Sequence, residues 1–250
     1  MRSKASPVKR PQAKQKQRAS QRNQEHYEEK IEVQELPSQY SRAASTSIIP
    51  ATDNQKRYLN AIKNFKLVFA DGPAGTGKTF LCTSYAAQLL ESKQIDKIII
   101  TRPAVEAGES LGFLPGELEE KFDPYLFPFK EILNEKLGKS FVQYLLKTGK
   151  IEAVPLAYMR GRTFRNAFVI LDEAQNTTPT QMKMFLTRIG QDCKVVVNGD
   201  PAQSDIRVAS GLEDAIARLS FIPAIKHIRF TMDDIVRSDL VGEIVRAYAA

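Results

Sequence analysis

Four short apolar runs rich in Val and Ile stand out along the chain: KLVFA (66–70), KIIIT (97–101), FVILD (168–172) and KVVVN (194–198). None alternates apolar with polar residues at period two, so each predicts a strand buried on both faces. KHIRF (226–230) is a weaker strand pattern of the same kind. Between these runs the apolar residues recur at helical spacing in TFLCTSYAAQLLES (79–92), PTQMKMFLTRIG (179–190), GLEDAIARLS (211–220) and LVGEIVRAYA (240–249). Alternating strands and helices predict an α/β domain with a parallel sheet covered by helices on both faces. The stretch 113–150 has helical rather than strand patterning and predicts a helical insertion. No internal repeat is visible.

The first 46 residues read differently. They are rich in Gln, Ser, Lys and Arg and almost free of large apolar side chains. Such a segment cannot bury enough surface to offset the entropy of ordering it, so a disordered basic tail is expected over 1–46 and one folded domain over 47–250. Charge sharpens the division. The chain carries a net +7, and residues 1–50 hold ten Lys/Arg against five Asp/Glu, so most of the excess lies in the tail. A basic arm that touches nucleic acid phosphates and a solubilising linker both account for it.

Other classes drop out on composition. No uncharged apolar run is long enough for a bilayer span, and the N-terminus has no apolar core of a secretory signal, so no membrane association is expected. Cys82 and Cys193 sit in apolar contexts and read as reduced, buried thiols of a cytoplasmic protein. With only His26 and His227 available, no Cys/His metal site can be assembled.

Candidate chemistry begins with GPAGTGKT (72–79), which fits G-x-x-x-x-G-K-[ST] between a predicted strand and a predicted helix. Gly72, Gly75 and Gly77 let the backbone turn tightly. Together with Pro73, Ala74 and Thr76 they would wrap a phosphate with inward-pointing N–H groups. The following helix adds its free N-terminal donors and dipole. Lys78 would reach the β- and γ-phosphates of ATP, and the Thr79 hydroxyl would ligate Mg²⁺.

FVILDEAQN (168–176) ends an apolar strand in two adjacent acids. Ligands gather at the carboxyl ends of parallel strands, so Asp172 is the candidate for the Mg²⁺ shell and Glu173 for orienting the attacking water. KVVVNGDPAQ (194–203) ends in a Gly-Asp-Pro turn whose residues favour turns on their own account. Its strand tip should lie with the other two, which makes Gln203 a candidate γ-phosphate sensor.

These segments, with ITRPAVEAGESLGFLPG, YMRGRTFRNAFVILDEAQN, NGDPAQ and DDIVRSDLVGEIVRAY, resemble the PhoH-like ATPase family, collinearly over about residues 50–250. That family is similar to the first motor domain of superfamily 1 helicases. The resemblance implies a P-loop NTPase of RecA-like fold that hydrolyses ATP and acts on RNA or single-stranded DNA. By the same resemblance Gln55 would grip adenine, with Tyr58 as a stacking partner. Thr101, Arg102 and Pro103 would meet a nucleic acid strand or the phosphates. Arg160, Arg162 and Arg237 are candidates for stabilising γ-phosphoryl charge or for contacting RNA. The sequence departs from the family pattern in SDIRVASG and RSDLV, at Asp205, Arg207 and around Arg237.

Helicases of that superfamily close a second motor domain over the nucleotide, and the chain has no room for one after the Gly-Asp-Pro turn. A homo-oligomeric ring, with a hexamer as the expected form, would bring an arginine to the neighbouring ATP; such an arginine is worth roughly 10³–10⁵ in rate. Two other classes share the phosphate loop: a small-molecule kinase and a non-hydrolysing, nucleotide-regulated RNA-binding adaptor. Glu173 beside Asp172 argues for water rather than a substrate hydroxyl as the acceptor.

Overall fold

The computed structural model describes residues 47–103 and 118–236, with side chains in the helix that opens at Leu118 described from Leu126 onward. The expected tail, the expected helix over 240–249 and Arg237 lie outside the described residues.

Six strands form one sheet: β1 (Leu67–Asp71), β2 (Lys97–Thr101), β3 (Ile151–Ala153), β4 (Ala167–Leu171), β5 (Lys194–Gly199) and β6 (Ile225–Arg229). They lie in the order β3-β2-β4-β5-β1-β6, and every neighbouring pair is parallel. The four Val/Ile-rich runs occupy the inner positions, where both faces are covered and apolar residues are needed without alternation. β3 spans only three residues, IEA, too short to leave a period in the sequence.

Register fixes what the sheet presents at its carboxyl edge. Asp71 lies opposite Gly199 on one side and Arg229 on the other; Leu171 lies opposite Val197 and Thr101. The ends of β1 and β5 are therefore level with each other, and those of β4 and β2 are level two residues earlier. β5 runs between the strand that leads into the phosphate loop and the strand that ends in Asp172.

Helices α1 (Asp53–Asn64), α2 (Lys78–Glu91) and α3 (Leu118–Leu137) lie toward one face, with α4 (Lys139–Lys147) following α3 after a break at Gly138. Tyr85 of α2 meets Phe168 edge-on at 6.2 Å on that face. α5 (Pro179–Leu186) and α6 (Gly211–Leu219) cover the other face, where Met182, Phe185 and Leu212 pack with Phe69, Ile99, Val169 and Val197. Thr52 caps α1 by accepting from the Gln55 N–H, and Thr178 with Gln181 forms a reciprocal capping box on α5. The insertion expected over 113–150 is helical in its described part, as α3 and α4.

Residues after β6 run back along the phosphate loop. The Phe230 N–H donates to the Asp71 carbonyl at 2.8 Å and the Val236 N–H to the Gly75 carbonyl at 3.0 Å. Between them, Asp234 accepts from the side chains of Thr52 (2.7 Å) and Asn54 (2.8 Å) at the start of α1. Among the described residues no helix is long and apolar enough to cross a membrane.

Candidate functional site

Gly77 is the N-cap of α2, at φ 83°, ψ 11°, in the left-handed region that glycine enters without a Cβ penalty. No side chain caps this helix, so its first N–H groups stay open to an anion. Beside them lies a cavity of about 270 Å³, lined by loop residues 74–79 and by Asp172, Glu173, Asp200 and Gln203. Residues from the ends of β1, β4 and β5 thus meet in one place.

Lys78 is buried and turned back on its own loop: Nζ donates to the Gly72 carbonyl at 2.6 Å and the Pro73 carbonyl at 2.8 Å. Burial pulls its pKa down, against the opposing pull of Asp200, Asp172, Glu173 and Asp71. Thr79 donates its hydroxyl to Asp172 Oδ1 at 3.3 Å, joining the end of the phosphate loop to the tip of β4. One hydroxyl and one carboxylate, with room for water and phosphate oxygens, suit a hard cation such as Mg²⁺. Among the described residues no cluster of three or more His, Cys, Asp or Glu could hold a metal by itself. The donor set fits a metal that arrives with a nucleotide.

The other Asp172 oxygen, Oδ2, accepts from Arg102 Nη2 at 2.6 Å and Nε at 3.1 Å. The guanidinium lies 5.3 Å from the Phe129 ring centroid, a cation–π contact that holds it against α3. The structure therefore turns Arg102 inward to the acid, and Thr101 and Pro103 on either side are buried.

Glu173 occupies the left-handed region at φ 55°, ψ 37°, which costs a non-glycine residue roughly 1–2 kcal/mol. Its carboxylate Oε2 accepts from Gln175 Nε2 at 2.8 Å. Gln175 is 1% exposed and sits in the short 3₁₀ turn Ala174–Asn176. Nothing in the sequence singles out this glutamine, because a Gln two residues after an acid has no motif value alone. A Cβ at Gly199 would come within 2.9 Å of Gln175 Oε1 and 2.5 Å of Leu212, so glycine is what allows the approach.

The remaining candidates divide. Gln55 is 5% exposed, with Nε2 donating to the Thr76 carbonyl at 3.0 Å and Oε1 accepting from the Ala51 N–H at 2.7 Å. It braces the phosphate loop from behind. The expectation of a stacking surface at Tyr58 is corrected: its side chain is 0% exposed, donates to Asn198 at 2.7 Å and packs edge-on against Phe230 at 5.5 Å. A ring enclosed on all sides has no face to offer a base. Arg162 is ion-paired with Glu152, which Lys97 also holds at 2.8 Å; Arg160 is exposed, and neither arginine lines the cavity. Burial raises the Glu152 pKa, but Lys97 and Arg162 outweigh it and hold the carboxyl below the ordinary value.

Asp71, at the tip of β1, is a further residue that the sequence does not single out. It accepts from His227 at 2.6 Å and from Arg229 Nε at 3.0 Å, both on β6. The run KHIRF predicts a strand, but not the register that sets these two side chains against Asp71.

Comparison with known proteins follows the same outline. A family model described as PhoH-like protein matches residues 47–249. The PhoH-like protein of Mycobacterium tuberculosis (strain ATCC 25618 / H37Rv) is 54% identical over 211 residues, covering 84% of this chain and 60% of that protein. The PhoH-like protein of Bacillus subtilis (strain 168) is 49% identical over 229 residues, covering 91% and 71%. Protein PhoH of Escherichia coli (strain K12) is 49% identical over 209 residues, covering 82% and 59%. The chain spans about 60% of the length of the mycobacterial relative. Among solved structures, the large terminase of a thermophilic bacteriophage is similar at 15% identity and TM-score 0.49, over 79% of this chain and 50% of that one. With a family match that runs through the whole described domain, the chain belongs to the PhoH-like family.

Proposed function

We propose that this chain binds ATP with Mg²⁺ in the cavity between the phosphate loop and the tips of β4 and β5, and hydrolyses it. One observation carries the reading: Lys78, Thr79, Asp172 and Glu173 line a single cavity, with the Thr79 hydroxyl 3.3 Å from Asp172. Loop N–H groups and the open start of α2 receive the phosphates. The Lys78 ammonium exchanges the Gly72 and Pro73 carbonyls for β- and γ-phosphate oxygens. Thr79 and Asp172 would hold Mg²⁺, which would supply charge neutralisation to the triphosphate. Glu173 accepts a hydrogen bond from the attacking water, whose oxygen bonds to the γ-phosphorus as the bridging oxygen departs on ADP. Gln203, which lines the cavity on the turn after β5, would contact the γ-phosphate.

The finer parts of the proposal are coupling of turnover to RNA or single-stranded DNA, a cytoplasmic location, and a homo-oligomeric ring. Exposed Arg160 and the basic composition of residues 1–46 support a polyanionic partner. No arginine lines the cavity among the described residues, which supports the ring, since an arginine from a neighbour would supply that charge.

Phosphate release, measured with and without single-stranded RNA and DNA, tests the central claim. Turnover that is lost in Lys78→Ala and Glu173→Gln is expected. Nucleotide binding without release would favour the adaptor class, and phosphate passed to an added acceptor would favour a kinase. Mass photometry with ATP tests the ring; a monomer with full turnover would remove it.

A further inference from the structure

We propose that Gln175 is a positioning residue for hydrolysis: its buried side-chain amide fixes the Glu173 carboxylate and ties it to the turn that carries Gln203. The inference rests on Glu173 as the group that orients water.

Several contacts converge on this one residue. Nε2 donates to Glu173 Oε2 at 2.8 Å, and also approaches the Gln203 carbonyl at 3.4 Å. Oε1 accepts the Asp200 N–H at 3.0 Å. The backbone carbonyl of Gln175 accepts from Ser210 Oγ at 3.0 Å, which anchors the 3₁₀ turn to the start of α6. The residue thus spans the tips of β4 and β5 with one side chain.

The geometry has a chemical consequence. A carboxylate at the rim of an open cavity rotates freely unless something holds it. Oε2 is held by a donor that water cannot reach, because Gln175 is 1% exposed. The second oxygen, Oε1, is thereby left to the cavity. The left-handed backbone at Glu173 fixes the direction of its Cα–Cβ bond, and the Gln175 amide fixes the end of the side chain. Displacing a catalytic group by about 1 Å costs on the order of 10²-fold in rate, so this double restraint is of the size that matters. The same amide is placed to sense movement at Gln203, since it bonds both the carboxylate and the carbonyl of that turn.

Gln175→Glu separates positioning from architecture. It keeps the chain length and the acceptor for the Asp200 N–H, but puts an acceptor where Glu173 needs a donor. Phosphate release and binding of a non-hydrolysed ATP analogue are measured on this variant and, in parallel, on Glu173→Gln. We expect kcat to fall by roughly 10- to 100-fold in Gln175→Glu, with KM and analogue affinity within about threefold of the parent. A kcat within about twofold, while Glu173→Gln abolishes turnover, would overturn the role of Gln175 and leave that of Glu173 intact. Full turnover in Glu173→Gln would remove the parent reading and this one with it. Should Gln175→Glu melt far below the parent, side-chain amide NMR decides on the unsubstituted Gln175. Its Nε2 protons are expected to exchange slowly and to shift in Glu173→Ala, and an unchanged resonance there would end the proposal.

Discussion

Arg102 and Asp172 form a two-pronged ion pair, with Nη2 2.6 Å and Nε 3.1 Å from the same carboxylate oxygen, inside the cavity edge where a metal shell is proposed. The arginine and the proposed metal would therefore draw on one acid. Arg102→Met keeps the stem against Phe129 and removes the charge. It is expected to lower the stability of the nucleotide-free chain by about 1–3 kcal/mol, because a nearly buried carboxylate loses its partner. Added Mg²⁺ and nucleotide should narrow that deficit. Thermal melts with and without both ligands make the comparison; an equal deficit in the two conditions would separate Arg102 from the metal site.

Glu173 holds a backbone conformation that favours glycine. Glu173→Gly relieves about 1 kcal/mol of backbone strain but leaves the buried Gln175 amide without its acceptor, so no net gain in stability is expected in thermal melts, while phosphate release is lost. Retained turnover would contradict the proposed role.

Asp71 supplies a pH dependence with a definite sign. Burial raises its pKa, but hydrogen bonds and charge from His227 and Arg229 outweigh burial and hold the carboxyl below the ordinary value. A depressed folded-state pKa stabilises the fold above the unfolded value, about 3.9, and the contribution disappears as pH falls through the folded value. Asp71→Asn should therefore be less stable than the parent at pH 7 by about 1–3 kcal/mol. The gap should close below about pH 4, in urea denaturation repeated across that range.

Tyr58 tests the corrected expectation. Its hydroxyl donates to Asn198, whose amide in turn donates to Cys82 Sγ at 3.4 Å, and burial pushes the Cys82 thiol up to about 12. Tyr58→Phe leaves the Asn198 oxygen without its donor. It should cost about 1–2 kcal/mol and leave nucleotide affinity unchanged in a fluorescent-nucleotide titration. A large loss of affinity would restore a direct role for the ring.

What was legible in the sequence was local and periodic. The inner strands could be read because burial on both faces leaves continuous Val and Ile, and GPAGTGKT because it needs its glycines at fixed spacing. The placing of Asp172 and Glu173 followed from the rule that strand tips collect ligands. β3 was invisible because three residues carry no period. Gln175 and Asp71 were invisible for another reason: apart from the Gln175 contact to nearby Glu173, the contacts that fix them reach residues 25 to 158 positions away, brought together only by the fold. Arg102 could be flagged from the family likeness, but its direction could not, since nothing in ITRP says that the side chain folds back on the β4 acid.

The segment 230–236 is stitched to the carbonyls of Asp71 and Gly75, on either side of Gly72. The peptide that leaves the described domain thus departs from the wall of the phosphate loop itself. A displacement of residues 230–236 would therefore reach the phosphate loop first, with no lever arm between. The loop that would cradle phosphate and the segment that follows β6 thus share the same short run of backbone hydrogen bonds.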